Sequence, residues 1–228
     1  SMSKPNIVFF FTDDQRFDTI HAVNNQAIST PNLDRIVERG TTFTNGYIMG
    51  GSCGAVCMPS RAMLHTGRTL YRIEKQGQTI PEDHAMLGET LQQAGYSSFG
   101  TGKWHNGPRA YARSFTDGAE IFFGGMNDHW NVPACDFAPD GNYPEPRELQ
   151  ARFTDLQVTI NPRYDHIPHG KHSSDLFCDA AVDFISKQKG AQPFFAYIAY
   201  MAPHDPRETH RMYHDLYPTD DIPLPENY

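Results

Sequence analysis

Directly after Asn6, the run Ile7-Val8-Phe9-Phe10-Phe11 is wholly β-branched or aromatic and shows no two-residue alternation. A run of that kind reads as a strand buried on both faces, which belongs in a parallel α/β sheet. It ends at Thr12-Asp13-Asp14, where polarity switches abruptly. A second buried strand is expected over Pro193 to Met201, ending at Ala202-Pro203-His204-Asp205, and a shorter one over Tyr96 to Thr101. Helical segments separate them. Thr30 is placed to cap a helix with Pro31 at its first position, Leu33, Ile36 and Val37 on one face, and Gly40 as terminator. Leu87 to Gly95 repeats the device, with Leu87 and Leu91 as its apolar face. A helix starting at Ser173 or Ser174 carries the stripe Leu176, Phe177, Ala180, Ala181, Phe184 and Ile185, and Gly190 stops it. This rhythm predicts an α/β fold with a largely parallel central sheet flanked by helices. Active sites of such folds lie beyond the carboxyl ends of strands, where three polar clusters fall: Asp13-Asp14, Lys103 with His105, and His204.

The 228 residues suffice for one large domain, or two small ones, with a buried core. With 19 basic and 27 acidic residues the net charge is −8, and Lys and Arg form no runs, which argues against nucleic-acid binding. The longest apolar stretch, Phe194 to Ala202, falls far short of the roughly 20 residues that span a bilayer, so no membrane span is expected. Cys53, Cys57, Cys135 and Cys178 contain no Cys-x-x-Cys pair, against a zinc knuckle or a disulfide scaffold, although one or two disulfides stay open. From Asn106 to Lys171, Pro, Gly, aromatic and charged residues replace any periodicity. An elaborated loop region with substrate contacts is expected there.

Adjacent acids at a strand end suit a hard divalent cation, but by themselves Asp13 and Asp14 read more readily as a turn or a helix cap. In Cys57-Met58-Pro59-Ser60-Arg61, Pro59 suits a first helical position, which sets Cys57 just before a helix amino end. Free amides and the macrodipole favour anions at such an end, with Arg61 one turn further on. Cys57 by itself reads as a small buried residue or as a thiol nucleophile without an assignable histidine. His166, His169 and His172 lie in irregular chain and read as a solvated face. His210 and His214 read as surface helix, since they lack the glutamate of a zinc protease.

Taken together, these segments resemble a known family. Cys57-x-Pro59-Ser60-Arg61 followed by Thr66-Gly67-Arg68 is similar to the signature of type I sulfatases of the alkaline-phosphatase superfamily. Asn6-Ile7-Val8 through Asp13-Asp14, Thr30-Pro31-Asn32-Leu33-Asp34, Gly102-Lys103-Trp104-His105 and Ala202-Pro203-His204 match further motifs of that family in order. The resemblance implies that Cys57 is oxidised to formylglycine by a sulfatase-maturation enzyme that reads this motif. Asp13, Asp14 and the residue made from Cys57 would then hold a cation, Ca²⁺ or alternatively Mg²⁺. One hydroxyl of the hydrated aldehyde attacks sulfur and expels the substrate alcohol, and deprotonation of the other ejects sulfate, which a thiol cannot do. The implied roles are Arg61 steadying the hydrate, Lys103 on the sulfate oxygens, His105 as base in the elimination, and His204 on sulfate and the leaving oxygen.

The family continues beyond the stretch matched here, into a further acid-amide metal pair, a second sulfate-binding lysine and a smaller subdomain. Residues 1–228 are therefore expected to be the amino-terminal portion of a sulfatase catalytic domain, with the carboxy-terminal part supplied elsewhere, for instance by a second chain. Asn106 stands where an apolar residue is common and is expected near the substrate pocket. A sulfated saccharide or small molecule is the expected substrate, with the aromatic stretch Tyr111 to Tyr143 and Arg109, Arg113, Trp130 and Arg147 as its surroundings. The competing readings are a phosphomonoester or phosphonate-ester hydrolase of the same superfamily and a non-catalytic glycan-binding fragment. Export to a periplasmic, lysosomal or extracellular location is expected by analogy with the family.

Overall fold

The computed structural model describes residues 4–153 and 156–224. In chain order the elements are β1 (Ile7–Phe11), α1 (Pro31–Arg39), α2 (Cys57–Thr66), α3 (Leu87–Gln93), β2 (Ser97–Lys103) and α4 (Pro108–Ser114). There follow β3 (Asp117–Phe122), β4 (Leu149–Phe153), β5 (Leu156–Ile160), α5 (Ser173–Lys187), β6 (Phe194–Ala199) and α6 (Arg211–His214). Two compact units result. One comprises the chain up to Asp13 together with Met49–Glu208, the other Asp14–Ile48 together with the chain from Thr209.

In the first unit β1, β6, β2 and β3 pair in that order, every pairing parallel, as the buried apolar runs predicted. β6 is buried at all six positions and alternates between two cores. Phe195, Tyr197 and Ala199 face Trp104, Tyr111, Phe115 and Ala62, the last of these from α2. Phe194 and Ala196 face Phe99 and Phe184, the latter from α5. Helices therefore cover both faces of the central strands, the α/β arrangement expected. No helix among the described residues is long and apolar enough to cross a membrane.

Two expectations need correction. β1 is not buried on both faces: it is the edge strand, with Ile7, Phe9 and Phe11 packed inward while Val8 and Phe10 are exposed. Its aromatic run reports strand propensity and pairing with β6, while the face carrying Val8 and Phe10 is left exposed. Nor is 106–171 merely an elaborated loop region. α4 and β3 lie within it, and Tyr111, Phe115, Ile121, Phe122, Val132, Ala134 and Cys135 are all core residues. β4 and β5 form a separate antiparallel pair. Arg113 is consumed by Glu89 and by the carbonyls of Pro81, Glu82 and His84, and the Arg147 guanidinium lies 3.9 Å over the Tyr164 ring. The aromatic and arginine richness of this stretch thus serves packing, with Arg109 left on the surface beside Glu82.

In the second unit the Thr30 hydroxyl does not cap the backbone of α1. It donates to Asp34 Oδ1 at 2.8 Å and accepts from the His21 amide at 2.9 Å. Leu33 and Ile36, the anticipated apolar face of α1, are exposed. α6 carries His214 on an exposed surface, in line with the surface reading of His210 and His214.

Candidate active site

The site is assembled at the carboxyl ends of β1, β2 and β6, closed by the first turn of α2. α2 begins at Cys57 itself, with Val56 as its cap, so Pro59 falls at the third helical position rather than the first. A proline is tolerated anywhere in that turn, because the amide it lacks has no partner within the helix. Cys57 thus sits inside the amino-terminal turn, and the Ser60 amide closes that turn onto Val56 O at 3.1 Å.

β2 delivers Lys103 through a local irregularity. The pairing of β2 with β3 shifts between Thr101 and Gly102, leaving Glu120 bulged at φ +49°. Gly102 has φ +85°, and a Cβ there would lie 2.0 Å from Ala199 O, so glycine is required. The kink aims Lys103 inward, where its ammonium donates to Asp13 Oδ2 and to Gly125 O. Trp104 anchors the turn, its amide donating to Phe122 O and its indole to Gly107 O, each at 2.8 Å. His105 follows, with Nδ1 3.4 Å from Cys57 Sγ. Sequence reasoning had left the thiol without a histidine partner, because the two lie 48 positions apart.

Arg61, only 1% exposed, donates to Lys103 O at 3.1 Å and meets the Tyr197 hydroxyl at 3.0 Å, and its guanidinium lies 3.4 Å from Asp13 Oδ2. The Phe11 ring stacks beneath it at 4.8 Å. Asp13 is fixed by its own amide, which donates to Ala202 O at 3.1 Å. Two buried cations against one carboxylate leave an excess of positive charge in a chain whose net charge is −8. A buried imbalance of this sign favours an anionic ligand. Burial, with Lys103 and Arg61 alongside, pulls the His105 imidazole down to about 4, so it is neutral near pH 7. His204 Nδ1 faces Asp205 O at 2.9 Å; since a carbonyl only accepts, the hydrogen sits on Nδ1.

Six of the seven sequence-predicted residues, Asp13, Cys57, Arg61, Lys103, His105 and His204, come together within the first unit. Asp14 belongs to the second unit, exposed and at φ +60°. Asp13, Cys57 and His204 each place a donor atom within 4.8 Å of the others, a spacing at which one ion can be shared. The fit to a hard cation is partial: Asp13 supplies oxygen, while a thiol and an imidazole are softer donors. Replacing the Cys57 sulfur by oxygen would bring the set closer to what Ca²⁺ or Mg²⁺ takes.

Asn106 lies against the first turn of α2. It is buried and ties α2 in place, its amide donating to Met58 O at 3.0 Å and to Gly77 O at 2.5 Å. His172, read as solvated, is buried and caps α5 by accepting from the Ser174 amide. His166 is held between Glu120 and Asp165, and Asp136, Asp165 and His166 form a second, more exposed cluster. The cysteines are all free thiols. Tyr197, Gly125 and His129 were missed, having no motif to mark them.

The model of the family described as Sulfatase matches residues 5–228. The chain belongs to the sulfatase family. The chain is 30% identical over 222 residues to human N-acetylgalactosamine-6-sulfatase, covering 89% of this chain and 40% of that protein. It thus spans about two fifths of the length of that curated relative. In fold it is similar to Ps i-CgsB solved with k-i-k-neocarrahexaose, at TM-score 0.71 and 24% identity, covering 94% of this chain and 49% of that one. It is also similar to the phosphonate monoester hydrolase of Agrobacterium radiobacter, at TM-score 0.64 and 17% identity, covering 97% and 45%.

Proposed function

We propose that this sulfatase hydrolyses an organic sulfate ester, on a sulfated saccharide, after Cys57 has been oxidised to formylglycine by a maturation enzyme. The carrying observation is the 3.4 Å approach of His105 Nδ1 to Cys57 Sγ beside two buried cations. Hydration of the aldehyde would supply a pair of hydroxyls on one carbon, and a cation, which Asp13, Asp14 and residue 57 would hold as the family resemblance implies, would supply electrophilic activation. Lys103 and Arg61 hold negative charge in a site from which water is largely excluded, where fixed charges act most strongly. His105, neutral near pH 7, accepts a proton at the position of the Cys57 side chain. His204, with Nδ1 held by Asp205 O, presents its other ring nitrogen to protonate the departing oxygen when it carries a second proton.

Two carboxylates, Asp13 and Asp14, do not fill the six to eight oxygen positions a Ca²⁺ ion takes. The remaining ligands are proposed to come from residues outside these 228, in the same polypeptide or a second chain. The saccharide preference is supported by the name of the human relative and by the oligosaccharide complex of Ps i-CgsB. Export follows from the family resemblance.

Mass analysis of the peptide spanning Cys57, from a host that matures sulfatases, is expected to show the aldehyde. A thiol alone would favour a non-catalytic, glycan-binding reading. The likeness to a phosphonate monoester hydrolase keeps a second reading, hydrolysis of phosphorus esters. Comparing one aryl leaving group as sulfate and as phosphate decides between them, and preference for phosphate would sink the sulfatase reading.

A further inference from the structure

We propose that the segment from Gly125 to His129 is the positioning element of this site, Gly125 setting Lys103 against His105 and His129 setting His204. The inference rests on the roles assigned to those three residues above. The Gly125 carbonyl accepts from the Lys103 ammonium. Its α-carbon lies against the other partner: a Cβ at Gly125 would fall 2.8 Å from Cε1 and 3.0 Å from Nε2 of His105. One residue therefore fixes the separation of an ammonium and an imidazole, and any side chain there pushes the ring away.

Four residues on, His129 is 1% exposed, with Nε2 3.1 Å from His204 O. A carbonyl only accepts, so Nε2 carries the hydrogen and Nδ1 accepts from Ser173 Oγ at 2.7 Å. The His129 backbone is pinned as well, its carbonyl accepting from the Ser173 amide at 2.7 Å and its amide donating to Glu208 Oε2 at 2.8 Å. The ring stacks on His172, the cap of α5, at 5.2 Å. His129 is thus braced on the start of α5 and holds the main chain of His204 from behind. It acts through His204, as a positioning residue.

The test uses the matured protein with histidine-labelled nitrogen NMR and steady-state kinetics on an aryl sulfate. H129L is expected to move the His204 ring resonances and to lower kcat about tenfold or more, with KM within a factor of about 2, as misplacement of a catalytic group does. H129Q keeps a donor near the Nε2 position and is expected to restore both. G125A is expected to move the His105 resonances and leave those of His204 in place. Unmoved His204 resonances in folded H129L, an H129Q as impaired as H129L, or unmoved His105 resonances in G125A would each overturn the proposal. Should H129L fail to fold, S173A, which removes the brace and keeps the ring, carries the same His204 comparison. A wild-type protein that turns over no sulfate ester refutes the sulfatase reading, while the resonance shifts still judge the positioning.

Discussion

His105 Nδ1 and Cys57 Sγ lie 3.4 Å apart at the meeting of β2's carboxyl end and α2's first turn. The pair joins two motifs that are unconnected in the chain, and it places a neutral imidazole against the Cys57 thiol. Around it, the charges of Arg61, Lys103 and Asp13 are buried and mutually paired. Each side chain is consequently held by its neighbours rather than by its own rotamer preference alone.

As the base of the proposed reaction, His105 is expected to set the acid side of the activity profile. Its folded value, pulled down to about 4 by burial with Lys103 and Arg61, keeps the base form present throughout the neutral range. For a required base, activity is lost as pH falls through that value. The acid limb of kcat/KM due to His105 is therefore expected near pH 4. A limb near 6.5 that vanishes in H105N would contradict it, because that is the value of an unperturbed imidazole.

Arg61 is expected to be structural as well as functional. Its guanidinium meets Asp13, the Lys103 carbonyl and the Tyr197 hydroxyl, so truncation leaves that carbonyl and hydroxyl without their donor and opens a cavity, while Asp13 keeps Lys103. R61A should lose about 2–4 kcal/mol of unfolding free energy, the cost of unpaired buried polar groups and a cavity. Urea denaturation measures it, and a loss under about 1 kcal/mol would show the pair to be solvated in solution.

Gly102 admits no side chain. With φ +85° and a virtual Cβ 2.0 Å from Ala199 O, G102A must part β2 from β6 or rotate the peptide that aims Lys103. A loss of about 3 kcal/mol or more is expected, read as a lower thermal midpoint. An unchanged midpoint would mean that the kink before Lys103 relaxes freely.

The parallel sheet was legible because its strands are short apolar runs bounded by polar residues, and β6 shows why the reading works: it is buried at every position. The same logic misread β1, since burial depends on what packs over each face of the sheet, which no local pattern encodes. Asp13, Cys57, Arg61, Lys103, His105 and His204 were legible through ordered motifs. His129 and Gly125 were not, because their roles are made of backbone carbonyls and a close approach, which leave no residue-type signature. Asn106 and Arg113 misled for the converse reason: polar side chains that suggest a ligand are used here to satisfy buried carbonyls.

His65 is expected to make stability depend on pH independently of catalysis. Its ring is buried against Trp104 and Tyr197 at 4.6 and 4.8 Å, and neither ring nitrogen has a hydrogen-bond partner. Burial, then the Arg61 charge, pulls it down to about 3 in the folded protein, against 6.5 for an ordinary imidazole. Below 6.5 the unfolded chain binds a proton that the folded one refuses. The contribution of His65 is therefore complete above that pH and is lost progressively as pH falls towards 3, by up to about 1.4 kcal/mol per pH unit. H65F keeps an aromatic ring in the same place and removes the titration. Its stability near pH 7 should equal or exceed that of the wild type, and urea midpoints measured from pH 7 to 4 should fall less steeply by one proton's worth. Parallel midpoint curves for the two proteins would show that His65 takes up its proton while folded.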